Sequence, residues 1–160
     1  SLVLWSPVAN PVDTYKSVLG PVVEERIVAP DGTVTCVFGE VNSVIAGLTP
    51  TSTMSVLPWG AELTMNQAFF EDLYTTDPIA AISHYDGPMQ VVVGSADDVV
   101  TPQPHYGETY MTYHDGYEEL VVLETGHVFD VFAPTDDPAL DDAIDESLDW
   151  FTETLRHRRW

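Results

Sequence analysis

Two residues that can carry acid–base chemistry each follow a short, strongly apolar run of the chain. Residues 89–93 are followed by a glycine turn and then Asp97, and residues 119–124 are followed by Gly126 and His127. Ligands and catalytic groups of parallel α/β sheets lie outside the carboxyl ends of the strands, and this spacing puts both side chains there. A carboxylate beside an imidazole orients the ring as a general base. The pattern therefore predicts an Asp97–His127 pair at one edge of a sheet.

The chain offers one competing acid and several other histidines. Asp98 directly follows Asp97, and the spacing from the strand end favours Asp97 as the acid. His84, His105 and His114 are scattered without the spacing of metal ligands, so we predict neither a metal site nor a bound cofactor. We expect His105 and His114 on the solvated face and at the end of their helix. An ordinary turn carboxylate and a bystander loop histidine are the alternatives for the predicted pair.

A serine nucleophile for such a pair is not recognisable in the sequence. In α/β enzymes that use one, the serine lies in a Gly-x-Ser-x-Gly turn between a strand and a helix, upstream of the acid and the histidine. Ser43 has glycines at the wrong distances, and the other serines, for example Ser6 and Ser83, have no glycine pair around them. The sequence thus supplies two members of a triad without the third.

A long insertion with its own turn signals occupies the first half of the chain. Residues 8–21 read as a loop with room for one turn of helix, because they contain prolines and little periodicity. Residues 22–28 and 33–38 are β-rich runs around an Asp-Gly turn, which predicts a hairpin. Residues 41–48 predict a short helix, and residues 62–74 carry the apolar spacing of an amphipathic helix.

The other residues alternate between strand and helix patterns. Leu2–Trp5 and residues 89–93 are short apolar runs that predict strands, the second covered on both faces. Residues 102–113 predict a helix, and residues 119–124 predict a third strand. Residues 137–159 predict the longest helix, with acidic residues at its start and arginines at its end. Its apolar stripe consists of Leu140, Ile144, Leu148, Phe151 and Leu155.

The order strand, long insertion, strand, helix, strand, helix is that of a doubly wound α/β domain. We therefore predict one three-layer α/β domain with a short, mostly parallel sheet. Its core comprises residues 1–8 and 79–160, and residues 9–78 form an inserted cap that contains the hairpin. At 160 residues the chain is long enough for one domain with a sizeable core.

The residues around the predicted pair resemble the C-terminal half of the α/β-hydrolase superfamily. The match consists of Gly94-Ser95-Ala96-Asp97-Asp98-Val99-Val100, of Gly126-His127, and of Leu2–Trp5, which is similar to the sixth strand of that fold. The chain looks most like serine carboxylesterases of the cinnamoyl or feruloyl esterase type. In those enzymes a compact cap lies between strands six and seven.

This resemblance implies part of the machinery of a serine carboxylesterase. Asp97 would be the triad acid, His127 the general base, and small carboxylic esters the substrates. The nucleophile serine and the oxyanion hole of the family are absent from this sequence, which begins where the second half of the fold begins. The implied function is therefore the C-terminal portion of a serine hydrolase, inactive by itself.

The alternative is a non-catalytic, truncated hydrolase module that associates with itself. A sheet that starts at Leu2–Trp5 leaves this apolar strand as an unpaired edge, which invites pairing with another chain. We therefore expect a homodimer, or a larger homo-oligomer, joined through this strand or through the apolar faces beside it. A missing N-terminal hydrolase half is the other partner expected at the same edge.

The charge of the chain excludes two classes of partner. There are 26 acidic and 5 basic residues, for a net charge of −21, so we expect neither nucleic acid nor an anionic membrane as a partner. The scarcity of lysine resembles proteins of salt-loving organisms and predicts a protein of a high-salt cytoplasm. No apolar run approaches the roughly 20 residues that span a bilayer, and the first residues do not read as a signal peptide. One cysteine, Cys36, excludes an internal disulfide.

Overall fold

The computed structural model describes residues 1–19, 25–28, 34–37, 44–49, 52–56, 62–133 and 138–156. In chain order, the elements are β1 (Leu2–Trp5), α1 (Pro11–Leu19), β2 (Glu25–Val28), β3 (Val34–Val37), β4 (Val44–Thr49), β5 (Ser52–Val56), β6 (Glu62–Asn66), α2 (Gln67–Thr75), α3 (Pro78–Ile82), β7 (Met89–Gly94), α4 (His105–Tyr113), β8 (Glu118–Leu123) and α5 (Ala139–Arg156). They fall into two compact units, one of Ser1–Ala9 with Pro78–Trp160 and one of Asn10–Asp77. Among the described residues, no helix is long and apolar enough to cross a membrane.

The first unit is built on a three-stranded parallel sheet in the order β1-β7-β8. Leu2 lies opposite Met89, and Met89 lies opposite Glu118, so the carboxyl ends of the three strands meet at one edge. The central strand, β7, is buried along its whole length. Its three consecutive valines suit this position because β-branched side chains fit a pleated surface that is covered on both faces. The predicted parallel sheet and its doubly covered strand are confirmed.

Helices α3 and α4 cover one face of this sheet. Ile82 of α3 and Tyr110 of α4 pack with Met89, Val91 and Val93, which alternate along β7 and therefore point to the same side. The opposite face is covered by α5. The unit is accordingly a three-layer α/β structure, as the order of the predicted elements indicated.

Helix α5 turns a set of mostly small residues toward the sheet. Its buried residues are Ala143, Ser147, Trp150 and Thr154. Ala143 packs on Val92 and Phe129, and its small side chain lets the helix approach β7 closely. The aliphatic residues of the predicted stripe are largely exposed, since Ile144 is 39%, Leu148 57% and Leu155 53% accessible. The predicted stripe is therefore not the face that α5 buries, and three of its five residues face away from the sheet.

The second unit contains two antiparallel sheets. Strand β2 pairs with β3, and β4, β5 and β6 form a three-stranded meander. The pairing of β2 with β3 confirms the predicted hairpin strands, and the turn between them lies outside the described residues. The predicted short helix over residues 41–48 is wrong, because β4 begins at Val44 and pairs with β5. The β-branched Val44 and Ile45 favour this strand.

Two further local predictions in this unit are corrected by the structure. Residues 62–74 do not form one helix, since β6 occupies the first part and α2 begins at Gln67. Residues 8–21 are not a loop with a single helical turn, because the nine-residue helix α1 occupies Pro11–Leu19. A proline is tolerated in the first helical turn, and the Oδ1 atom of Asn10 accepts the N–H of Asp13 at 3.2 Å, which caps the helix.

Candidate active site

Asp97 is held in the turn that follows β7. The N–H of Asp97 donates to the carbonyl oxygen of Gly94 at 3.2 Å, which closes the turn. The Oδ1 atom of Asp97 accepts the backbone N–H groups of Val99 at 3.0 Å and Val100 at 2.8 Å. The carboxyl side chain is fully buried. Two amide donors on one oxygen stabilise the carboxylate in a fixed orientation.

The loop that carries His127 is packed directly against this turn. The N–H of Ala96 donates to the carbonyl oxygen of Thr125 at 3.0 Å, which joins the loops after β7 and β8. A Cβ atom at Gly94 would collide with the backbone oxygens of Thr125 and Gly126. Only glycine at position 94 therefore allows the two loops to approach closely enough for their side chains to meet.

The contact between Asp97 and His127 is the central feature of this edge of the sheet. The Nδ1 atom of His127 lies 3.0 Å from the Oδ2 atom of Asp97. A carboxylate only accepts hydrogen bonds, so Nδ1 carries a proton, and in the neutral ring Nε2 then presents its lone pair. The imidazole is 34% exposed. Within the described part of the chain, Nε2 has no hydrogen-bond partner, and the ring is therefore oriented as a base with an open nitrogen.

The turn after β7 places the two candidate acids, Asp97 and Asp98, in different surroundings. Asp97 is buried and contacts His127, whereas the next residue, Asp98, is exposed. The amides of Val99 and Val100 contribute to the site although neither residue stands out in the sequence. Their role follows from a common local pattern, in which an aspartate side chain accepts backbone N–H groups two and three residues later.

The other histidines lie apart from the pair. His84 and His105 are exposed, as expected for His105. The expectation that His114 lies at a solvated helix end is wrong, because its side chain is fully buried. Its Nδ1 atom lies 3.0 Å from Glu118 Oε2, and its Nε2 atom lies 2.9 Å from the carbonyl oxygen of Gly87. Among the residues that the structure describes, no group of three or more acidic, histidine or cysteine side chains is arranged to hold a metal ion.

Ser6 lies at the same edge of the sheet, directly after β1. Its N–H donates to the carbonyl oxygen of Val92 at 2.8 Å, and its φ of 40° is in the left-handed region that non-glycine residues avoid. Its hydroxyl is buried and has no hydrogen-bond partner among the residues that the structure describes. A nucleophilic serine needs a hydrogen bond to its base, so Ser6 is not arranged as the nucleophile of His127.

The loop after His127 returns from β8 toward β1. Phe129 and Asp130 have φ values of 52° and 58°, and these two residues in left-handed conformation bend the loop back. The Phe129 ring then packs on Trp5, with ring centroids 5.5 Å apart. The contact between Phe129 and Trp5 was not predicted, because neither of these two aromatic residues is a recognisable turn signal in the sequence. The contact holds the histidine loop over the carboxyl edge of the sheet.

Comparisons with known proteins bear on the fold alone. No protein-family model matches the sequence, and no curated protein matches it. Among solved structures, the chain is similar to the esterase domain of a Rhodothermus marinus protein, at 12% sequence identity and with a TM-score of 0.53. The match covers 92% of this chain and 50% of that one, so this chain spans about half the length of the esterase domain. Its architecture is that of a partial α/β-hydrolase-like fold.

Proposed function

We propose that this chain is the C-terminal portion of a serine hydrolase that acts on carboxylic esters, with Asp97 as the acid and His127 as the base of its triad. The observation that carries this proposal is the 3.0 Å contact between His127 Nδ1 and Asp97 Oδ2. The other carboxylate oxygen of Asp97, Oδ1, accepts two backbone N–H groups, which leaves Oδ2 to accept the imidazole N–H. The esterase-like fold supports the proposal at the level of architecture.

The geometry is suited to one role for each residue. His127 Nε2 would take the proton from a serine hydroxyl as its oxygen attacks the carbonyl carbon of the ester, and would then give that proton to the departing alcohol. Water would hydrolyse the resulting acyl-serine in the same way, with Nε2 first accepting and then returning a proton. Asp97 would keep its charge throughout, hold Nδ1–H and stabilise the imidazolium.

The serine of this triad would belong to a segment outside these 160 residues. No Gly-x-Ser-x-Gly turn occurs in the sequence, and the Ser6 hydroxyl is not hydrogen-bonded to His127. A hydrolase that lacks its nucleophile loses several orders of magnitude in rate. The 160-residue chain by itself should therefore hydrolyse p-nitrophenyl acetate no faster than free imidazole does.

The test of the proposal uses the continuous reading frame that contains this chain. We expect it to encode a Gly-x-Ser-x-Gly turn upstream, and its product to react with a fluorophosphonate probe. His127→Ala should lower ester turnover and probe labelling by about a thousandfold, whereas the matched change His105→Ala should leave both unchanged. A product that hydrolyses esters equally well with and without His127 would rule out the assigned base. Turnover by the 160-residue chain that is lost in His127→Ala would contradict the need for an external serine.

A further inference from the structure

The chain reverses direction directly after His127, in a turn whose two central residues have positive φ. The N–H of Val131 donates to the carbonyl oxygen of Val128 at 3.1 Å, which closes the turn. The central residues, Phe129 and Asp130, have φ values of 52° and 58°. A turn with positive φ at both central positions is of type I′, which strongly favours asparagine, aspartate and glycine there. We call residues 128–131 the 128–131 turn.

Phe129 is the residue that does not suit the 128–131 turn. Aspartate adopts the left-handed conformation more readily than most other residues, so Asp130 is acceptable at the second central position. A bulky aromatic residue in this conformation is an outlier, because its Cβ atom lies too close to the neighbouring carbonyl oxygen. Local propensity therefore opposes the turn by a population factor of roughly 5–30, and other contacts of Phe129 must hold it.

The contacts that hold Phe129 lie between the sheet and α5. Phe129 is only 4% exposed and packs in one cluster with Val92 of β7 and Ala143 of α5. Its ring centroid lies 5.5 Å from that of Trp5. The indole of Trp5 is itself fixed, because its Nε1–H donates to Ser147 Oγ at 3.0 Å. Strands β1 and β7 and helix α5 thus form a site for the ring, which we call the Phe129 seat.

The backbone at His127 is held between the Phe129 seat and the turn after β7. Two residues before His127, the carbonyl oxygen of Thr125 accepts the N–H of Ala96 at 3.0 Å. Two residues after it, the Phe129 ring lies in its seat, and the N–H of Phe129 donates to the carbonyl oxygen of Gly126 at 3.3 Å. A catalytic side chain is held precisely only when the packing around it fixes its backbone. Both anchors therefore decide where the imidazole lies.

We propose that Phe129 is a positioning residue for His127, and that its ring holds the 128–131 turn in left-handed form and thereby keeps the imidazole on Asp97. This inference rests on the proposed role of His127 as the base of the triad. Without a ring in the seat, position 129 returns to the conformations that local propensity favours. The turn then opens, and His127 Nδ1 leaves Asp97 Oδ2.

The hydrogen-bonded proton on His127 Nδ1 reports this positioning in the 160-residue chain, without any ester. Nitrogen-15 NMR of histidine-labelled protein at fixed pH measures the exchange of this proton with water. Phe129→Ala should speed the exchange at least about tenfold, because alanine has the same unfavourable φ and no ring in the seat. Phe129→Leu keeps a buried apolar side chain and should give a smaller increase. It also provides the test if the alanine variant does not fold.

Phe129→Gly separates positioning from simple packing. Glycine also leaves the seat empty, but it adopts positive φ without strain. Exchange in Phe129→Gly should therefore be slower than in Phe129→Ala, although the cavity is at least as large. Ile82→Ala is the matched control, because Ile82 is a buried side chain, 6% exposed, that packs on the opposite face of the sheet. It should lower the free energy of unfolding and leave exchange of the His127 proton unchanged in the folded chain.

Ester turnover by the product of the continuous reading frame provides a second measurement. Phe129→Ala should lower kcat for p-nitrophenyl acetate at least about tenfold with little change in KM, and Phe129→Gly should recover part of the loss. A His127 proton that exchanges equally fast in the wild-type chain and in Phe129→Ala would overturn the inference. Exchange in Phe129→Gly that is as fast as in Phe129→Ala would also overturn it. A product without ester turnover would overturn the proposed function instead, and the exchange rates in the 160-residue chain still decide the role of Phe129.

Discussion

At the scale of single residues, the Asp97–His127 pair depends on the hydrogen-bond donors that surround the buried Asp97 carboxylate. The Asp97 side chain is shielded from water and is instead held by two amides and one imidazole. A buried carboxylate without such donors would be strongly disfavoured. The turn after β7 therefore selects Asp97 rather than Asp98, and the same donors fix the direction in which Oδ2 points. The orientation of His127 follows from this arrangement.

Asp97→Asn should change the tautomer of His127 in the 160-residue chain. The asparagine oxygen can still accept the amides of Val99 and Val100, and its NH₂ group then faces His127 Nδ1 as a donor. The ring can accept that bond only if its proton moves to Nε2. Nitrogen-15 NMR of the imidazole should show Nδ1–H in the wild-type chain and Nε2–H in the variant. Asp98→Asn should leave the tautomer unchanged, and equal effects of the two changes would contradict the assignment of the acid.

His114→Ala should destabilise the fold by about 2–4 kcal/mol. Both ring nitrogens of His114 face acceptors, Glu118 Oε2 and the Gly87 carbonyl oxygen, and the ring stacks on Tyr85 with centroids 5.8 Å apart. Removal of the ring leaves a cavity and takes the donor away from at least one of these acceptors. Urea denaturation measures the loss. His105→Ala is the control, since the His105 side chain is 69% exposed, and it should change stability by less than about 0.5 kcal/mol.

At the scale of elements, α4 is tied to the segment after β1 by a buried phenol. The hydroxyl of Tyr110 donates to the carbonyl oxygen of Val8 at 2.9 Å, and burial raises the pKa of Tyr110 from 10.0 to about 12. In the unfolded chain this phenol ionises first, so its contribution to stability is complete below pH 10 and is lost as the pH rises from 10 to 12.

Tyr110→Phe should therefore have two measurable effects. At pH 8 it should cost about 1 kcal/mol, because the Val8 carbonyl loses its donor. Between about pH 10 and 12 the difference in stability between the wild-type chain and the variant should shrink. The pKa of Tyr117 is also raised, mainly by its hydrogen bond to Glu153, but this phenol is exposed and solvent screens the effect. The stability difference between the wild-type chain and Tyr117→Phe should change less with pH than that for Tyr110→Phe. A larger change would contradict the role of burial in raising the pKa of Tyr110.

The buried face of α5 makes a second prediction at this scale. Ala143 is fully buried against Val92, so Ala143→Leu should force the helix away from the sheet and cost about 1–3 kcal/mol. Leu148→Ala changes a side chain that is 57% exposed and should cost less than about 0.5 kcal/mol in the monomer. Both are measured by urea denaturation at low salt. If Leu148→Ala cost more stability than Ala143→Leu, the larger aliphatic side chains of α5, rather than Ala143, would have to lie against the sheet.

The sequence predicts the elements of the sheet better than those of the second unit, and particular residues show why. The three valines of β7 and the Gly-Pro turn before them leave little choice of structure, and the strand is found where it is predicted. Residues 41–48 are too few for local sequence to distinguish a helix from a strand. The pairing of β4 with β5 decides that a strand forms. Such pairing between distant segments is not encoded in local propensity.

The same limit applies to the site. The positions of Asp97 and His127 at neighbouring strand ends follow from parallel pairing, so sequence spacing is sufficient to expect them near each other. The buried state of His114 does not follow from spacing, because it depends on the Gly87 carbonyl, which is distant in sequence. The face that α5 turns to the sheet is likewise decided by which side chains are small enough, not by which are most apolar.

At the scale of the whole molecule, repulsion among carboxylates opposes folding. Six acidic residues of α5 are exposed, and several of them lie four positions apart, as do Asp141 and Asp145, Asp145 and Asp149, and Asp149 and Glu153. Like-charge pairs at this spacing destabilise a helix by about 0.2–0.5 kcal/mol each. Salt screens such exposed pairs. The free energy of unfolding should therefore rise between about 0.1 M and about 2 M KCl, which urea denaturation at each salt concentration measures.

The double change Asp145→Asn with Asp149→Asn identifies the source of this dependence. It removes all three of these pairs and leaves Asp141 and Asp142 at the start of the helix, where their charge is favourable. The variant should be more stable than the wild-type chain by about 1 kcal/mol at low salt, and the gain should disappear at about 2 M KCl. Sucrose in place of KCl should preserve the gain, because it does not screen charge. An equal gain at both salt concentrations would show that helix propensity, rather than repulsion, governs the response of the molecule to salt.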